Sequence, residues 1–158
     1  MKRDLIFVSG PQKELAKFRK GLCYSILTDP YFKEYFDVFL FENLPANRRN
    51  AEGVYLDQVA KCTIYLGIFG RTYGTPGHDG IAPTEKEFDF ATSLLKDRIV
   101  LVKRLPKNAK RDPQMGSLIK KARKEIITSS FRTSVELQRE VMRSLLLWQK
   151  EGGRVASP

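Results

Sequence analysis

The chain has 158 residues, with 28 Lys and Arg against 18 Asp and Glu, a formal charge of +10, 42% hydrophobic residues and 29% charged ones. That balance suits one folded domain with its own core and excludes a wholly disordered or fibrous chain. No apolar run approaches the ~18 residues of a membrane helix, Leu5-Ile6-Phe7-Val8 is too short for a secretion leader, and the widely spaced Cys23 and Cys62 read as buried reduced thiols of a cytoplasmic protein.

Leu5-Ile6-Phe7-Val8 is continuously apolar, the pattern of a strand covered on both faces. After Gly10-Pro11, the residues Leu15, Phe18, Leu22 and Ile26 recur at helical spacing with Lys13, Lys17 and Lys20 between them, and this helix ends near Thr28-Asp29-Pro30. Residues 36–41 form a second apolar run. Asn50 is an N-cap for a helix over 51–61, with Val54, Tyr55 and Val59 on its inner face. Residues 63–69 are β-branched and aromatic and form the most strand-like segment; Gly70 ends it. A loop with Gly70, Gly74, Gly77 and Gly80 follows, then a helix from Thr84 to about Lys96 and a strand at Ile99-Val100-Leu101-Val102. Beyond a basic loop at 103–111, a helix is predicted over 118–127, and Thr133 caps a last amphipathic helix bearing Val135, Val141, Leu145 and Trp148. Residues 1–150 read as a single domain and 151–158 as a polar tail beginning a linker.

Strand and helix alternate four times, which predicts an α/β sandwich of three layers: a mostly parallel sheet of about four strands, helices on both faces, and extra C-terminal helices. Ligands of such sheets sit beyond the carboxyl ends of the strands. The segments reaching that edge supply the candidate binding residues: Ser9 and Gly10 after the first strand, Gly70, Arg71 and Tyr73 in the glycine loop, Thr84 at the next helix start, and Lys103 and Arg104 after the fourth strand. Glycines let backbone N–H groups approach a phosphate or ribose, and Arg71 and Tyr73 would add a charged fork and a stacking ring.

Several chemistries are absent from the motifs. There is neither a G-x-x-x-x-G-K-[ST] phosphate loop nor a G-x-G-x-x-G fingerprint. His78 is the single histidine, the cysteines lack ligand spacing, and no metal site is expected. Any catalysis falls to carboxylates, of which Glu87 is the most informative. In the first turn of a helix opened by Thr84, the helix dipole would keep it ionised, ready to attack or support the anomeric carbon of a ribose. Thr84-x-x-Glu87 is equally a capping box, with Glu87 returning a hydrogen bond to the Thr84 N–H. Spacing alone favours the cap, and both readings stand.

Ile6-Phe7-Val8-Ser9, Phe41-Glu42, the block from Cys62 through Phe69-Gly70-Arg71-x-Tyr73-Gly74, and Thr84-Glu85-x-Glu87-Phe88 together resemble the DUF4062 family over roughly residues 4–150. That resemblance implies an N-terminal module of larger proteins, among them RecG-helicase-related proteins, AlbA-type regulators and NACHT or tetratricopeptide proteins. The family in turn resembles TIR domains and nucleoside deoxyribosyltransferases, which implies a flavodoxin-like fold. Val8-Ser9-Gly10-Pro11 is similar to the turn ending strand one of the transferases, and Glu87-x-x-x-Ala91 to the surroundings of their nucleophilic glutamate. Gly70-Arg71 stands where those enzymes carry an aspartate, so the chain lacks their acid for the leaving base; nicotinamide, which leaves NAD from an already cationic ring nitrogen, needs none.

Three functions follow as expectations. The leading one is a sensor or interaction module that serves the downstream domains of the same protein and holds NAD or another nucleotide. The second is an enzyme cleaving N-glycosidic bonds with Glu87 as nucleophile. The third is a nucleic-acid contact surface, since Lys103 to Lys124 concentrates basic residues beside the strand ends.

Overall fold

The computed structural model describes residues 2–153, so the last five positions of the expected tail lie outside the described residues. Its elements in chain order are β1 (Asp4–Ser9), α1 (Gln12–Thr28), α2 (Phe32–Tyr35), β2 (Phe36–Phe39), α3 (Ala51–Lys61), β3 (Ile64–Phe69), α4 (Pro83–Ser93), β4 (Asp97–Lys103), α5 (Pro113–Glu125), β5 (Ser129–Phe131) and α6 (Ser134–Lys150). The sheet is entirely parallel in the order β2-β1-β3-β4-β5, which is the flavodoxin-like arrangement. It has five strands where about four were expected. The fifth is Ser129-Ser130-Phe131, whose residues register against Leu101, Val102 and Lys103 of β4. Three residues are too few to show a period of two, so this strand exists because β4 offers it a free edge.

Alternation along the central strands sorts the core into two halves. Ile6, Val8, Ile64, Leu66 and Ile68 face α1 and α6, where they meet Leu15, Leu22, Ile26, Leu137, Val141 and Leu145. Phe7, Tyr65 and Phe69 face the other way, against Val59 of α3, Phe88 of α4 and Leu118 of α5. Burying each large apolar side chain stabilises the fold by about 1.5–3 kcal/mol. Val135 does not share in this; it is 68% exposed at the start of α6. Cys23 and Cys62 are buried free thiols.

The expected caps form at two helices. Asn50 Oδ1 accepts from the Gly53 N–H at 2.7 Å, and Thr133 Oγ1 accepts from the Glu136 N–H at 3.1 Å. At α4 the start differs: Ala82 is the N-cap, Pro83 takes the first helical position and no side chain caps the end. Proline there is pre-shaped for a helix and gives up an N–H that would have no partner. Among the described residues no helix is long and apolar enough to cross a membrane.

Candidate functional site

In the order β2-β1-β3, the chain crosses from one face of the sheet to the other between β1 and β3, and a crevice opens beyond their carboxyl ends. Here it is a cavity of about 720 Å³ whose wall includes Phe7, Val8 and Gly10 from β1 and its turn, Gln12, Lys13 and Glu14 from the start of α1, Thr72 and Gly74 from the glycine loop, and Thr84 and Glu87 from α4. The turn after β1 demands glycine. Gly10 has φ +143°, and a Cβ placed there would run into the carbonyl of Ile68, so β1 and β3 approach closely at the cavity root.

Glu87 is the central group. It lies beyond the first turn of α4, because that helix begins at Pro83, and it makes no capping bond to Thr84. Its Oε1 instead accepts a 2.5 Å hydrogen bond from the Ser9 hydroxyl, while no hydrogen bond holds Oε2 among the described residues. The residue is 8% exposed. Burial raises its pKa from 4.5 to about 7, opposed by the Ser9 hydrogen bond and the charge of Arg19. The expectation of a carboxylate kept ionised in the first turn is therefore corrected: the residue lies beyond that turn, desolvation outweighs the Ser9 bond and the Arg19 charge, and at neutral pH both protonation states are populated.

Ser9, Gly10, Thr84 and Glu87 are thus brought together. The other predicted residues are placed elsewhere. Tyr73 turns into the core at 3% exposure, its hydroxyl donating to Glu85 Oε1 at 2.6 Å and accepting from the Ala82 N–H at 3.2 Å, so its ring is not free to stack on a base. Arg71 points outward and donates from Nε to the Lys110 carbonyl at 2.9 Å. Gly70 sits against Glu14, and its carbonyl accepts from Arg111. Lys103 Nζ lies 5.0 Å from the centre of the Phe18 ring and 3.8 Å from Glu14 Oε2. Arg104 donates from Nε to Ser130 Oγ at 2.9 Å, held there by the unforeseen β5. None of these five belongs to the cavity wall. The basic region is likewise partly engaged within the fold: Lys121 pairs with Glu85 at 2.6 Å and Asp89 at 2.7 Å, whereas Lys107, Lys120 and Lys124 are exposed.

Sequence reasoning missed Glu14, Arg19 and Glu42. The carboxylate of Glu14 accepts from the N–H groups of Arg71 and Thr72 and from Thr72 Oγ1, at 2.7 to 3.0 Å, and so ties the root of the glycine loop to α1. Arg19 is 1% exposed, where the helical stripe of α1 calls for an apolar residue. It grips Glu42 through Nε at 2.7 Å and Nη2 at 2.9 Å. Burial alone would push Glu42 up, but the hydrogen bonds and charge of Arg19 hold it below its ordinary value. The signal for Arg19 was present: positions 15, 19, 22 and 26 fit the helical stripe as well as 15, 18, 22 and 26, and the first set puts a charge in the core.

The profile of a family described as a domain of unknown function, DUF4062, matches residues 5–146. A comparison with curated proteins found no match. Among solved structures, the TIR domains of the activated Roq1 resistosome, which recognises the pathogen effector XopQ, superpose with a TM-score of 0.62 at 7% identity over 90% of this chain and 99% of theirs. The CMP N-glycosidase BcmB of Clostridium botulinum gives 0.55 at 13% identity over 89% and 99%. A 2-desoxiribosyltransferase from Leishmania mexicana gives 0.47 at 10% identity over 69% and 78%.

Proposed function

The chain belongs to the DUF4062 family, and we propose that it binds a nucleoside or nucleotide in the cavity at the strand ends and cleaves the ligand's N-glycosidic bond with Glu87. The observation that carries this reading is a carboxyl group in the cavity wall, nine-tenths buried, with one oxygen fixed by Ser9 and the other making no hydrogen bond among the described residues. A cap would have turned that group onto its own helix; here it is aimed away from it, at the cost of a raised pKa.

The chemistry follows from the protonation state. In its ionised form Glu87 offers an electron pair to the anomeric carbon as the bond to the base breaks through an oxocarbenium-like state, and the base departs with the bonding pair. Water then attacks the same carbon, restores the carboxylate and releases the sugar hydroxyl and a proton. Ser9 keeps Oε1 oriented and favours the ionised form. With Gly70-Arg71 turned out of the cavity, the leaving base finds no acid from that position, which favours bases that leave from a cationic ring nitrogen, as nicotinamide leaves NAD. The Clostridium botulinum enzyme of like fold is named for cleaving this class of bond, an argument by analogy of fold only.

The test is incubation with NAD, CMP and deoxynucleosides, with free base followed by chromatography. Release that falls at least ~100-fold in Glu87→Gln supports the proposal. Saturable binding without release, equal in the two proteins, would instead favour a module that senses a nucleotide for neighbouring domains.

A further inference from the structure

Arg19 does more than neutralise Glu42. Its Nη1 donates to the Gly10 carbonyl at 3.0 Å and its Nη2 to the Val8 carbonyl at 3.3 Å. Those two carbonyls flank Ser9, the residue whose hydroxyl holds Glu87. One guanidinium therefore holds the Val8–Ser9 and Gly10–Pro11 peptides on either side of Ser9, and Glu42, anchored just after β2 in the short 3-10 turn Phe41–Asn43, fixes the guanidinium in turn. The bidentate fork suits this task because a planar group with N–H donors in fixed directions can bind two carboxylate oxygens and two carbonyls at once; lysine cannot. Both partners are costly to bury, and apolar side chains of similar volume would pack the same space without that cost.

We propose that Arg19 and Glu42 are a positioning pair for the reaction at Glu87: Glu42 orients Arg19, Arg19 sets the Val8-Ser9-Gly10 turn, and its guanidinium in the cavity wall tunes the carboxyl that Ser9 holds. This inference rests on the role given to Glu87 above, but it is tested through the titration of Glu87 and so does not depend on finding a substrate. The pair acts through geometry and charge together. Arg19 lines the cavity and Glu42 does not, so the positive member lies on the Glu87 side. The other groups facing Glu87 are Tyr65 from β3 and Tyr55 from α3. Burial, then Glu87 itself, raises Tyr65 well above its ordinary range; burial, then Glu52 and Glu87, pushes Tyr55 to about 12. Both phenols remain neutral while Glu87 titrates. Lys13, Glu14 and Asp112 complete the charged groups of the wall and are unchanged by the substitutions below.

The experiment follows the Glu87 side-chain carboxyl by carbon-13 NMR across pH in the wild type, Arg19→Gln, Glu42→Gln and the double variant, with Glu87→Gln to assign the signal. Removing Arg19 should raise the midpoint by about half a unit or more, and removing Glu42 should lower it, since an unneutralised guanidinium favours the carboxylate more strongly. The double variant replaces the ion pair with two amides that can bond to each other. It keeps the test alive where a single substitution leaves a buried charge and prevents folding; its midpoint should rise. A merely structural role predicts equal loss of thermal stability without these opposed shifts. A midpoint that stays within ~0.2 unit in the double variant, or falls, overturns the proposal. If the midpoints move as expected while no nucleoside or nucleotide is cleaved or bound, it is the reading of the cavity as an N-glycosidase site that fails.

Discussion

Replacing Glu87 with glutamine keeps the shape of the side chain and removes its ionisation, so the variant isolates what that carboxyl contributes to folding. The pKa is 4.5 in its ordinary state and about 7 in the folded protein. Below 4.5 both folded and unfolded chains hold the proton, and the stabilising contribution of the neutral carboxyl is fully present. Between 4.5 and about 7 the unfolded chain has released a proton that the folded chain retains, so stability declines as pH rises. Above that range both states are ionised and the loss is complete, about 3 kcal/mol for a shift of this size. With 8% exposure, solvent screening reduces this little. Glu42 is held below its ordinary value, with Arg19 outweighing burial, and so pulls the pH profile in the opposite direction, but it is common to both proteins and cancels in the difference. Urea unfolding of wild type and Glu87→Gln at about pH 4 and about pH 8.5 should give nearly equal stabilities at the lower pH and a variant more stable by about 3 kcal/mol at the higher. A difference that is the same at both ends would refute the reasoning, because it would mean the carboxyl is not desolvated.

Ser9→Ala removes the donor that favours the ionised form; the Glu87 midpoint should rise further, with about 1 kcal/mol of stability lost, and a fall in the midpoint on NMR titration would contradict this. Gly10→Ala places a methyl against the Ile68 carbonyl at a positive φ and should cost about 2–3 kcal/mol, read by thermal unfolding. Glu14→Gln weakens the carboxylate that holds the loop root; exchange of the Arg71 and Thr72 amides should quicken by about tenfold or more while α6 amides are unchanged. Binding of duplex DNA through the exposed Lys107, Lys120 and Lys124, if the basic region serves that purpose, should fall steeply between low and moderate salt in an electrophoretic assay.

The alternation of strands and helices was readable because each central strand is covered on both faces and shows as an unbroken apolar run, and because Asn50 and Thr133 mark helix starts by a local bond. The carboxyl edge as the place of a cavity followed from topology alone. What the linear pattern could not resolve were choices made by tertiary contacts. Thr84-x-x-Glu87 satisfies the capping spacing, yet Pro83 starts the helix one residue earlier and Ser9, distant in sequence, claims the carboxylate. Tyr73 stands in a glycine loop, where rings are usually exposed, but Glu85 and the Ala82 N–H draw its hydroxyl inward. Arg104 followed β4 as foreseen, and only the short β5 decides that Ser130 receives it.

The two thiols have a practical consequence for following ligand entry. Burial pushes Cys62 to about 11 and, with the charge of Glu42, raises Cys23 as well, so little thiolate exists at neutral pH and neither sulfur is open to reagents. The natural protein therefore behaves toward maleimides as though it had no cysteine. A single new one in the wall, such as Gln12→Cys, would carry a fluorophore at one defined point and report occupancy of the hollow while leaving Ser9 and Glu87 in place.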